Sequence, residues 1–121
     1  MRFTRAGNDA VLFVEVADEI DERQTGLMNR DSLPEDAGML FVYEEDTTTG
    51  FFMRDTTIPL SIAFVTAGGS VIDIQDMEPL SEEVHSSLEY RYAVEVNQGW
   101  FGENGVRVGD LVQLPVAMGI D

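Results

Sequence analysis

The chain has 121 residues, enough for one domain with an ordinary core and too few for two. Hydrophobic residues make up 44% of it, so a core can form without help, and the absence of cysteine excludes disulfides, thiol catalysis and cysteine-ligated zinc. Seven arginines and no lysine stand against 23 acids, a net charge of −16 that excludes a basic nucleic-acid-binding face.

Residues 10 to 17 are rich in β-branched and aromatic side chains and predict a first strand, with Leu12, Val14 and Val16 on one face. Asp18 is placed to cap a helix whose first turn carries Glu19, Asp21 and Glu22 against the dipole. That helix should run to about Met28 or Arg30, burying Ile20, Leu27 and Met28. Met39 to Tyr43 reads as a second strand, and Phe51-Phe52-Met53 as a short third. Pro59 should begin a strand, because it cannot donate to a ladder.

From Leu60 the alternation is clean, with Leu60, Ile62 and Phe64 on one face and Ser61, Ala63 and Val65 on the other. Thr66-Ala67-Gly68-Gly69 is turn chemistry, and Val71 to Met77 returns as the second arm of a hairpin. Residues 81 to 88 predict a loop or one short helix, with His85 at the surface. Tyr90, Tyr92, Val94 and Val96 alternate with Arg91, Ala93 and Glu95, another half-buried strand. A short helix over 97 to 104 carries Trp100 and stops at Gly105, and Leu111 to Val116 is the last strand. The expected fold is a single, mostly β domain with minor α. It has about seven short strands in a mainly antiparallel, barrel-like arrangement, one early helix and one short late helix.

Three segments carry more local detail than packing requires: Arg23 to Arg30, Gly38 to Phe41, and Phe51 to Leu60. Their order is an arginine, G-L-M and a further arginine; G-M-L-F; then F-F-M-R-D-T and I-P-L. Glu95-Val96, Gly99 and Gly109-Asp110 follow. Together they resemble the DUF192 family of unknown function over most of the chain, which implies a single mixed-β domain, often secreted in bacteria, with no established activity. Where that family has Trp, Lys, Asn and Asp, this chain has Phe52, Arg54, Asp55 and Ser61.

Arg23 and Arg30 lie two helical turns apart, so a helix reaching Arg30 would place them on one stripe with Gly26 between. Two guanidinium forks can hold an anion or sugar acid; alternatively each pairs with an internal acid such as Glu95 or Asp55. Phe52 and Trp100 offer an apolar platform, and Arg54, Asp55 and Thr56 polar readers, with Gly26, Ser61 and Glu95 in support. Met28, Met39 and Met53 read as core filler, and one histidine without cysteine leaves no metal site, so neither metal nor cofactor is expected.

The leading expectation is a non-enzymatic, monomeric module that binds a small polar or glycan ligand through a pocket lined by Arg23, Arg30, Asp55, Thr56 and Trp100. One alternative is a hydrolase or lyase using Asp55 and Glu95 as a carboxylate pair. Another is a protein-interaction module. No nucleic-acid or membrane partner is expected: the start of the chain has no apolar leader core and no run approaches the roughly 20 residues of a span. The acidity suggests a salty cytoplasm, or an extracellular setting if a leader has been removed.

Overall fold

In a computed structural model, which describes residues 1–5 and 8–115, the chain forms eight strands and two short helices. In order these are β1 (Arg2–Arg5), β2 (Asn8–Val11), β3 (Phe13–Ala17), α1 (Ile20–Thr25), β4 (Ala37–Thr47), β5 (Leu60–Val65), β6 (Val71–Met77), β7 (Tyr90–Asn97), α2 (Trp100–Glu103) and β8 (Leu111–Gln113). The larger sheet has the order β3-β4-β7-β5-β6, and the smaller one β2-β1-β8. Only the β3–β4 pairing is parallel among the described strands.

The β5–β6 hairpin forms where the sequence places it. Gly69 takes φ 88 and donates its N–H to the Thr66 carbonyl at 2.9 Å, while a Cβ there would come within 3.1 Å of the Val112 carbonyl. A bulge follows: Val65 pairs with Val71 and Phe64 with Asp73, so Ile72 is the extra residue and turns to the face opposite Ile74.

Residues of both faces of β5 are buried, all six of them. The reason is that both faces of the larger sheet are covered. On one, Phe3 and Ala10 from the smaller sheet and Trp100 and Phe101 from α2 pack over Leu40, Ala63, Val65, Val94 and Val96. On the other, Leu27, Leu33, Phe51, Met53 and Ile58 from irregular segments pack over Phe41, Leu60, Ile62, Phe64 and Tyr90.

Several expectations are corrected. The two sheets are not closed into a barrel; an isolated bridge from Ser70 to Leu111 ties the rim of the smaller sheet to the hairpin turn. The first predicted strand is two, β2 and β3, broken at the wholly buried Leu12, and β1 precedes them. Helix α1 is capped at Glu19 rather than Asp18, because Glu22 Oε1 reaches back to the Glu19 N–H at 3.1 Å. It ends at Thr25 and buries none of its own residues, leaving Ile20 67% exposed. Phe51 makes only an isolated bridge, to His85, so the third predicted strand is not formed. The final strand stops at Gln113, and Val116 lies outside the described residues.

Candidate functional site

The segments singled out in the sequence converge on the face of the larger sheet that irregular chain covers. Helix α1 and the turn after it form one wall and residues 49–56 another. Phe41 and Tyr43 of β4 with Glu95 of β7 form the floor. Between them is a cavity of about 560 Å³, within the size range of small-molecule pockets.

Gly26 makes the turn after α1 possible. It caps the helix with φ 49, donates its N–H to the Glu22 carbonyl at 2.9 Å, and a Cβ there would already touch the Phe41 ring at 3.4 Å. The chain beyond is fastened to the opposite wall: the Asn29 N–H donates to the Asp55 carbonyl at 2.8 Å, and the Thr57 hydroxyl to the Arg30 carbonyl at 3.3 Å. Asn29 and Asp55 both take positive φ, 62° and 54°, in making this contact. The second wall is held at its other end by paired backbone bonds between Phe51 and His85, and by the Tyr90 hydroxyl donating to the Thr49 carbonyl.

Glu95 is the unusual group in this cavity. It is 5% exposed, it lines the cavity, and among the described residues its carboxyl has no hydrogen bond or ion pair. No polar side-chain atom of the described residues is both sealed from solvent and unpartnered, so these oxygens open into the cavity. Burial alone pushes the carboxyl up to about 8, which keeps it protonated at neutral pH. Met39 and Ile62 are its lateral neighbours in the ladder and offer it nothing polar. Nearby, burial first and Glu95 in smaller part raise the Tyr43 phenol above its usual range.

Arg23 stands at the rim, with its guanidinium 4.9 Å from the centre of the Tyr43 ring. One of its nitrogens donates to the Asp18 and Val42 carbonyls at 2.7 and 3.0 Å, which docks α1 onto β4. Phe52, 38% exposed, and Ile20 complete an apolar rim, while Met28 and Met53 line the interior. Thr56 also lines it, its hydroxyl donating to the Arg54 carbonyl at 3.1 Å.

The other expected site residues lie elsewhere. With α1 ending at Thr25, Arg23 and Arg30 share no helical stripe; Arg30 borders a shallower groove beside β3 and pairs with Glu15. Arg54 points outward, stacked 4.9 Å from the Phe52 ring centre and paired with Glu82. Asp55 does not line the cavity; its part is the backbone contact to Asn29. Trp100 belongs to the opposite core, 2% exposed, packed on Phe3 and Phe101 and bonded through Nε1 to Asp36. Ser61 is structural, donating to Asp76 and accepting the Gly99 N–H. Tyr43 and Met53 were missed as cavity residues, although the period of two through Met39, Phe41 and Tyr43 puts all three on one face. His85 is a brace, accepting and donating with Phe51 and contacting Gln75.

The sign of Glu95's effect on stability follows from its position. The folded state holds the proton up to about pH 8, whereas the unfolded chain releases it near 4.5. Stability from this group is therefore complete below about 4.5 and lost as pH rises toward 8. Relative to Glu95→Gln, wild-type protein should lose up to about 1.4 kcal/mol per pH unit across that window. Denaturant melts of both proteins at several pH values check this, and parallel curves would contradict it.

Comparison with known proteins gives a family and no function. A solved structure from Sinorhizobium meliloti, described as a candidate transcription regulator, is 33% identical with a TM-score of 0.89, over 93% of this chain and 89% of that one. Another, a protein of unknown function from Novosphingobium aromaticivorans, is 30% identical with a TM-score of 0.89, over 93% and 82%. Comparison with curated proteins found no match. No helix of the described residues is long and apolar enough to cross a membrane. The family profile described as "Uncharacterized ACR" matches residues 1–114, and the chain belongs to that family, DUF192.

Proposed function

We propose that this domain binds a small molecule with a largely apolar body in the cavity over Glu95. The observation that carries this reading is the pairing of an open cavity with a buried carboxyl that has no protein partner. An unpartnered polar group away from bulk water costs on the order of 1–3 kcal/mol, a cost a ligand can relieve. The walls are Leu27, Met28, Phe41, Phe51 and Met53, which suit an apolar body better than a sugar ring with hydroxyls on every edge.

The alternatives have less support. A glycosidase-like hydrolase needs two carboxyls flanking its cleft, and Glu95 is the one carboxyl lining this cavity among the described residues. A DNA-contacting role, which the description of the Sinorhizobium protein raises, meets a net charge of −16 and arginines of which Arg2, Arg30, Arg54 and Arg91 are paired with acids. The same charge supports a working environment of high salt, which screens the repulsion among 23 acids facing seven arginines.

Two measurements test these readings. In a screen of small apolar and amphipathic compounds followed by methyl NMR, binders should shift the Met28 and Met53 methyl signals. Shifts confined to surface residues, or none from any compound, would sink the cavity reading. Separately, the melting midpoint should rise as KCl increases from about 0.05 to about 2 M, a range over which the screening length shrinks several-fold. A flat profile would remove the high-salt setting.

A further inference from the structure

Resting on the reading of the cavity as a ligand site, we propose that its ligand is a small primary amine whose ammonium group pairs with Glu95 and whose hydrocarbon body lies along Met28, Phe41 and Met53. Among the described residues the carboxyl of Glu95 lacks a cation, and no arginine reaches it: the Arg23 guanidinium is held at the rim by the Asp18 and Val42 carbonyls and the Tyr43 ring. The protein therefore builds half of a buried ion pair and leaves out the cation.

A bound cation supplies the missing half, and in surroundings of low polarity the attraction between the two is far stronger than in water. The aromatic lining, Phe41, Phe51 and Tyr43, adds rings of a kind that attract ammonium groups. The net charge of −16 draws cations toward the protein and repels anions. A neutral ligand would accept a hydrogen bond from the protonated acid but would gain neither advantage.

Proton balance gives this idea a signature. The empty site holds Glu95 as the acid, and the amine arrives as its ammonium ion. Well below the carboxyl's midpoint, forming the carboxylate–ammonium pair releases the carboxyl proton to solvent, so close to one proton leaves for each amine bound. The titratable or charged groups that line the cavity with the carboxyl are Arg23 of α1 and Tyr43 of β4, with Tyr90 of β7 packed behind Tyr43; β5 presents Ile62, and the wall of residues 49–56 presents no charged side chain. Both phenols are raised above their ordinary range by burial, so neither ionises between pH 6 and 8. Over that interval the carboxyl is the one group of the cavity that changes charge.

The experiment is calorimetric titration of the full chain with hexylamine, hexanol and hexanoate at pH 6, 7 and 8. Each runs in two buffers of different ionisation enthalpy, with the Met28 and Met53 methyl signals as locator. The expected result is hexylamine binding at least tenfold tighter than hexanol, tightening by about tenfold from pH 6 to 7 and by about fivefold from pH 7 to 8, with about one proton released at pH 6 and about half a proton at pH 8. Glu95→Gln should abolish both the pH dependence and the preference over hexanol. Because the comparisons of ligand and pH use wild-type protein, the outcome does not depend on the variant folding. Hexanol or hexanoate binding as tightly as hexylamine, or a pH-independent amine affinity, overturns the amine assignment while leaving the cavity as a ligand site. If no probe shifts either methionine methyl, both readings fall.

Discussion

The carboxyl of Glu95 lies on a central strand whose two faces are both dry, and the covering layers follow from what that strand requires. β7 is flanked by β4 and β5, so its backbone is fully engaged in the ladder and its side chains have no edge by which to reach water. An acid in that position is tolerated only as the neutral form or with a partner. Among the described residues no side chain supplies it with a cation or a hydrogen-bond donor, and a cavity lies above the group instead.

That cavity exists because one face of the sheet is covered by irregular chain rather than by a long helix or a second sheet. The cover is stiffened by the Asn29 N–H on the Asp55 carbonyl and the Thr57 hydroxyl on the Arg30 carbonyl, by the bridge from Phe51 to His85, and by the Leu80 N–H donating to the Thr56 carbonyl at 3.0 Å. These contacts account for the positive φ of Asn29, Asp55 and Leu80 without invoking chemistry at their side chains. The opposite face, closed by the smaller sheet and the Phe3, Trp100 and Phe101 cluster, is packed core. Packed core and cavity thus lie on opposite sides of one sheet.

Much of this was legible in the sequence where local rules decide. The hairpin through Thr66–Gly69, the strand from Tyr90, the short helix at Trp100 and the placing of Gly26 opposite the segment from Phe51 could be read from alternation, turn chemistry and motif order. The errors come from what period-two reasoning cannot see. Alternation in β7 reads as a half-buried strand, and only the second cover makes both of its faces interior. The arginine stripe assumed a helix reaching Arg30, whereas Gly26 at positive φ ends it after Thr25. Trp100, expected to face a ligand, is drawn into the core by Phe3 on β1, a strand the sequence reading did not include. Which aromatic becomes wall and which becomes core is decided by such long-range contacts.

Among the described residues Glu95 is a neutral, unpartnered acid open to the cavity, and its own titration tests this most directly. The side-chain carboxyl carbon, followed by ¹³C NMR in ligand-free protein, should titrate with a midpoint near 8. A midpoint near the ordinary 4.5 would mean that the carboxyl is solvated or partnered, and would contradict the account of the site built on it.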